Sequence, residues 1–243
     1  MSERQTIGKH NRDMLSSIKR LHQGKTYKNL STAIVCPSRS DLPVDVVSSW
    51  MGLIRPMNQI CAGPFFFKDF EVGDAYNQAV HMVLNQTNVN YLLTIETDNI
   101  PPPDGLVKLL ETINDGWDVV GGLYWTKGEG GQPMIYGDPE VFPRNFIPQV
   151  PKPGEIQRCN GLGMGFTLFK TELLRKMSAD MPKDKNGIPQ LFVTKQEYLP
   201  GRGSQVYTQD LWFFNNAAKY GAMIASDNRV LVGHLDTATG VVW

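Results

Sequence analysis

Apolar and polar positions follow two rhythms along this chain: short unbroken apolar runs, and longer stretches in which apolar residues recur every three or four positions. The first rhythm is that of a buried strand and the second that of a helix with one covered face. The run STAIVC at 31–36 predicts a first strand within 29–37, and Val46, Val47 and Trp50 give one helical face to 44–51. A second strand is expected over 59–67, interrupted by Gly63-Pro64. Helical spacing returns over 72–84, where Val72, Tyr76, Val80 and Leu84 share a face and Asn77 and His81 lie together on the next. Tyr91 to Ile95 (YLLTI) then reads as a buried strand.

Further strands are expected at 117–124 (WDVVGGLY), 166–169 and 229–232, and further helices at 106–113, around Leu173 and Leu174, and from 207 to a stop near Gly221. The stretch 126–154 is rich in Gly and Pro and lacks a period, as a long functional loop or a small irregular subdomain would. A polar loop is expected over 182–203. Strand and helix alternate, which predicts an α/β fold with a mainly parallel central sheet flanked by helices on both faces.

Composition narrows the class. With 243 residues, 41% hydrophobic and 20% charged, the chain can bury one sizeable core, and a single domain over 30–243 is expected. Residues 1–29 form a polar extension with Met14, Ile18 and Leu21 at helical spacing. Its basic excess reads as a solvated flank, and the zero net charge of the chain argues against a dedicated nucleic-acid binder. Three scattered cysteines without CxxC spacing exclude a disulfide scaffold and a zinc cluster, and point to a reducing compartment. No apolar run approaches the ~20 residues needed to span a bilayer, and the N-terminus lacks the apolar core of a leader. A cytoplasmic protein without integral membrane association is the expectation.

Candidate chemistry concentrates at Glu96-Thr97-Asp98, followed by the proline brake Pro101-Pro102-Pro103. In extended backbone, residues i and i+2 face the same way about 6.5 Å apart, so both acids would address one small target. Mg²⁺ or Mn²⁺ suits them, since such ions bind through one or two carboxylates and keep open positions for a diphosphate. Ligands of open α/β sheets gather beyond the carboxyl ends of strands, where these acids fall. The competing reading is a turn begun by Asp98-Asn99, with Asp104 capping a helix from Gly105. Gly161, Gly163 and Gly165 precede a strand, the wrong order for a dinucleotide loop, and fit backbone approach to a ligand or close packing instead. Asp210 falls in the first turn of a helix, as a dipole partner or a general base, and His234 follows a strand end.

In order and interval these pieces resemble the GT-A glycosyltransferases, especially the family 2-like enzymes, over roughly residues 30 to 236. The resemblance rests on Pro37-Ser38-Arg39 after a strand, Asn77 on the next helix, Glu96-Thr97-Asp98, GGLYW at 121–125, GLGMGFTLFK at 161–170, Gln209-Asp210, and Gly233-His234-Leu235. It implies that Glu96 and Asp98 correspond to the metal-binding DxD and that His234 closes the metal shell. It places Pro37, Ser38, Arg39, Asn77, Glu96 and Thr97 at the nucleotide, and Asp210 as the acid that deprotonates the acceptor in inverting members. Two departures stand. Glu96 replaces the usual first Asp, which opens a water-mediated or ribose contact, and Gln209 stands where inverting relatives often have Glu. Trp125 and Gly163 are expected on the acceptor side, with the 195–203 region.

The resemblance implies a metal-dependent transferase, Mn²⁺ or Mg²⁺ assisted, that moves a hexosyl group from a nucleoside diphosphate donor, UDP favoured, to a hydroxyl. The inverting course is favoured over front-side retention. The acceptor is open among glycan, protein, lipid and modified nucleic acid. A nucleotidyltransferase would need a basic glycine-rich loop where Pro37-Ser38-Arg39-Ser40 stands. A non-catalytic carbohydrate or nucleic-acid binding module would use the basic tail with Trp125, Tyr207 and Trp212.

Overall fold

The computed structural model describes residues 29–38, 41–199, 201 and 203–243, together with Lys19. The expected N-terminal extension therefore lies outside the described residues apart from Lys19 and Asn29, and so do Arg39 and Ser40. The chain begins with β1 (Thr32–Ser38), α1 (Val44–Met51), β2 (Cys61–Lys68), α2 (Val72–Gln86) and β3 (Tyr91–Ile95). The two-residue β4 (Asn99–Ile100) leads into α3 (Gly105–Ile113) and β5 (Val119–Leu123). Irregular chain with one short strand, β6 (Ile135–Tyr136), then reaches β7 (Ile156–Arg158), β8 (Gly161–Leu162), β9 (Phe166–Lys170) and α4 (Thr171–Asp180). The expected loop over 182–203 is in part a hairpin, β10 (Lys195–Leu199) against β11 (Gly203–Tyr207). After it come α5 (Gln209–Ala217), a 3₁₀ turn (Ala218–Tyr220), β12 (Ile224–Leu231) and β13 (Gly233–His234). Gly221 ends that turn at φ 70°, a left-handed conformation that suits glycine.

Seven strands form one sheet in the order β2-β1-β3-β9-β5-β12-β7. Pairs β1–β2, β1–β3 and β5–β12 are parallel, while β9 runs antiparallel between β3 and β5, and β7 antiparallel on the β12 edge. Five of the seven strands thus point the same way. The Gly63-Pro64 interruption appears as a register shift against β1 between Ala33 and Val35. Gly63 has φ 99°, and a Cβ there would meet the Ile34 carbonyl oxygen at 2.4 Å, so this crossing requires glycine.

Side chains alternate across the sheet with period two. Ala33, Val35, Leu92 and Phe169 join one core with Tyr76, Val80 and Val83 of α2, Leu174 of α4 and Phe213 of α5. Ile34, Cys36, Leu93, Ile95 and Leu168 join a second core with Val46 and Trp50 of α1 and Leu109 and Leu110 of α3. Each fully buried side chain of this size contributes ~1.5–3 kcal/mol. Both faces are therefore covered, and ligands have the sheet's rim. Parallel strands share a direction, so Ser38 at the end of β1, Glu96 to Asp98 after β3, Trp125 and Lys127 after β5, and His234 after β12 leave by the same edge. Among the described residues no helix is long and apolar enough to cross a membrane.

Candidate functional site

A cleft of about 1020 Å³ opens at this rim. Pro37 and Ser38 form one wall, Glu71 stands at the head of α2, Glu96, Thr97 and Asp98 form the floor, and Lys127 and Thr237 close the far side. The floor is not extended chain. β3 ends at Ile95 and the Asn99 N–H donates to the Glu96 carbonyl at 3.1 Å, so 96–99 is a turn. That turn is fastened from several sides: Trp50 Nε1 donates to the Asn99 carbonyl at 3.0 Å and the Leu235 N–H to the Asp98 carbonyl at 2.7 Å. β13 pairs with β4 so that His234 sits opposite Asn99.

This pairing brings the end of the chain to Asp98. His234 Nε2 lies 3.5 Å from Asp98 Oδ2, and its Nδ1 lies 2.7 Å from the Trp125 carbonyl oxygen. A carbonyl only accepts, so Nδ1 carries a hydrogen, and Nε2 faces the carboxylate, donating to it when the ring is protonated. Lys127 Nζ approaches the same Oδ2 at 2.5 Å. Burial works to raise the Asp98 carboxyl, but the hydrogen bonds and charges of His234 and Lys127 outweigh it and hold it below the usual range.

Glu96 is not brought into this pair. Its Oε1 accepts from Tyr76 Oη at 2.6 Å. Burial, partly countered by that bond and reinforced by Asp98 and Asp210, pushes its carboxyl up to about 7. Cys36 at the end of β1 is pushed up to about 12 by burial and by Glu96 and Asp98, an inert thiol.

Other expected site residues have structural partners. Asn77 is 1% exposed, and its amide clamps the 190–192 segment: Oδ1 accepts from Leu191 N and Phe192 N, both at 2.9 Å, and Nδ2 donates to the Phe192 carbonyl at 2.9 Å. It does not line the cleft. Gly163 is buried, and a Cβ there would meet Tyr124 Oη at 2.2 Å. Tyr124 Oη in turn accepts from Gly165 N at 2.8 Å, so this glycine serves packing and not a ligand. Trp125 packs its half-buried ring on the first core and offers its carbonyl to His234.

Asp210, at the start of α5, is 8% exposed. Its Oδ1 accepts from Thr208 Oγ1 and from Leu211 N, the latter at 2.8 Å. Burial raises its carboxyl despite those bonds. Its negative charge helps to raise the Glu96, Tyr124 and Tyr136 groups. Sequence reasoning missed Lys127, Tyr76 and Glu71; the last caps α2 by accepting from Gly73 N at 2.7 Å.

Among the described residues no three His, Cys, Asp or Glu side chains converge on one ion. Asp98 and His234 offer a carboxylate oxygen and an imidazole nitrogen 3.5 Å apart, donor types that a divalent cation takes, although Asp98 is paired here with His234 and Lys127.

No protein-family model matches the chain, and no curated protein matches it by sequence. Solved structures do resemble it. The crystal structure of A197 from STIV is 20% identical with a TM-score of 0.57, over 85% of this chain and 86% of that one. A structure of GalNAc-T7 with UDP, GalNAc and Mn²⁺ is 11% identical with a TM-score of 0.54, over 85% of this chain and 44% of that one. The chain spans less than half the length of that second protein. Likeness at these identities shows the fold: a mixed α/β architecture of the GT-A kind.

Proposed function

We propose that this chain is a metal-dependent glycosyltransferase that moves a hexosyl group from a nucleoside diphosphate sugar, UDP favoured, to an acceptor hydroxyl. The observation that carries the reading is the Asp98–His234 pair, whose Asp98 lines a cleft large enough for such a donor. The GT-A kind of fold, shared with a protein solved with UDP, GalNAc and Mn²⁺, supports it.

In this reading Pro37, Ser38 and Thr97 line the nucleotide, Arg39, which lies outside the described residues, is a further candidate by sequence, and Glu96, held by Tyr76, takes the ribose side. Asp98 and His234 hold Mn²⁺ or Mg²⁺, which when bound neutralises charge on the departing diphosphate. Asp210 receives the acceptor proton at Oδ2, because Oδ1 is engaged by Thr208 and Leu211. The acceptor oxygen then bonds to the anomeric carbon as the carbon–phosphate oxygen bond breaks and its electron pair leaves with the nucleotide. Burial makes Asp210 a stronger base than an exposed carboxylate, which favours this inverting course. Lys195, whose ammonium lies over the Trp212 ring, and Trp125 are taken as acceptor contacts in this reading. The test is a nucleotide-sugar screen with Mn²⁺, read as released nucleotide with and without EDTA. Turnover of one donor lost in EDTA supports the reading, and turnover of none, or turnover indifferent to EDTA, opposes it.

A further inference from the structure

Asp98 Oδ2 has two neighbours, and the nearer is a positive charge that the fold supplies itself. Lys127 Nζ stands 2.5 Å away, against 3.5 Å for His234 Nε2. An ammonium at that distance occupies the position a divalent cation would need in order to reach the same oxygen, and two cations on one carboxylate oxygen repel each other. The base of Lys127 is fixed. Thr126 N–H donates to the Gln132 carbonyl at 2.9 Å, Gln132 N–H to Thr126 Oγ1 at 2.8 Å, and Gly131 N–H to the Gly128 carbonyl at 3.1 Å, closing a tight loop directly after the end of β5. The arm is not so confined: the side chain is 32% exposed and borders the cleft. A flexible four-carbon stem can swing its ammonium several ångströms while the loop stays in place.

The charge around it gives the swing a destination. The described cleft lining carries the carboxylates of Asp41, Glu71, Glu96 and Asp98 against the single ammonium of Lys127. A diphosphate entering such a cleft meets a repulsive wall unless cations are already there, and its oxygens are the strongest new anion that Lys127 could meet.

We propose that Lys127 is a resident counter-ion of the metal site: it holds Asp98 when no divalent cation is bound, yields the carboxylate when one arrives, and then engages the diphosphate of the donor. This rests on the metal-dependent reading above. Metal and nucleotide are thereby coupled. The metal alone must displace the ammonium from Asp98, whereas metal with a diphosphate gives that ammonium a doubly charged partner stronger than the cleft's remaining carboxylates, so each ligand strengthens the binding of the other.

The experiment is a Mn²⁺ titration of the full chain by calorimetry, with the free ion followed by its electron paramagnetic resonance signal, with and without UDP. Wild type is compared with Lys127→Gln, which keeps most of the stem, and with Lys127→Arg, which keeps the charge; thermal melting establishes that each is folded. Lys127→Gln is expected to bind Mn²⁺ alone roughly tenfold more tightly than wild type and to bind UDP in saturating Mn²⁺ roughly tenfold more weakly, with Lys127→Arg between them. Unchanged Mn²⁺ affinity in a folded Lys127→Gln chain overturns the counter-ion role while leaving the metal reading intact. Unchanged UDP affinity overturns the diphosphate contact. Absence of Mn²⁺ binding by every chain, even with UDP, overturns the metal reading and the counter-ion role with it.

Discussion

His234 Nε2 faces Asp98 Oδ2 at 3.5 Å, and the Trp125 carbonyl oxygen, 2.7 Å from Nδ1, fixes which ring nitrogen does the facing. Backbone pairing delivers both partners: β13 lies against β4, and the Leu235 N–H is bonded to the Asp98 carbonyl. Removing either side chain should leave this scaffold standing and weaken the grip on a divalent ion. Asp98→Ala and His234→Ala are each expected to lower Mn²⁺ affinity in the presence of UDP by about tenfold or more, with far-ultraviolet circular dichroism unchanged. Calorimetric Mn²⁺ titration reads the effect.

Asp210 should trade stability for function. Its carboxyl is raised by burial in the folded chain, so the stability it contributes is full below the ordinary aspartate range and is lost as pH rises through its folded value. Asp210→Asn does not titrate. The variant should come closest to wild type below the ordinary aspartate range and exceed it as pH rises above that range, while donor turnover with acceptor falls by ~10²–10⁴. Urea midpoints across that range, together with initial rates, check both halves.

Asn77→Ala separates a structural amide from a nucleotide contact. Losing the clamp leaves the buried Leu191 and Phe192 N–H groups without their acceptor, which costs about 2–4 kcal/mol. Urea denaturation should show that loss, and UDP affinity measured well below the transition should be unchanged.

Gly163→Ala makes the same separation on the expected acceptor side. The new Cβ would push against Tyr124 Oη, the hydroxyl that receives Gly165 N–H, and overpacking of this kind costs about 1–3 kcal/mol. A lower melting temperature with no selective change in acceptor KM is the expected result.

Much of this frame is written in local patterns. Tyr91 to Ile95 is a strand over the expected residues, and 44–51 a helix over the expected ones, because unbroken apolar runs and three-to-four spacing report burial directly. The first half of β12 escaped that reading. Ser226, Asp227 and Asn228 are polar yet buried, satisfied by Asn228 Oδ1, by Thr112 and Arg229, and by Gln157, partners that no hydropathy pattern reveals. The hairpin 195–207 was hidden likewise, since a polar run punctuated by Pro200, Gly201 and Gly203 reads as a loop.

The site divides along the same line. Asp98 and His234 were legible as residues at strand ends, but their meeting depends on the two-residue pairing of β13 with β4, which carries no sequence signal. Glu96 was expected to project beside Asp98 from extended chain; the chain is a turn at 96–99, and the Tyr76 hydroxyl donates to Glu96 Oε1. Lys127 is one lysine in a glycine-rich stretch, and only the tertiary fold shows that it reaches Asp98.

Nucleotide binding tests the centre of this reading most directly. UDP titrated calorimetrically into the wild-type chain should bind in the presence of Mn²⁺, lose that binding when EDTA removes the ion, and fail to regain it with Mn²⁺ in Asp98→Ala. UDP that binds equally well in EDTA, or that never binds with Mn²⁺ present, would contradict it.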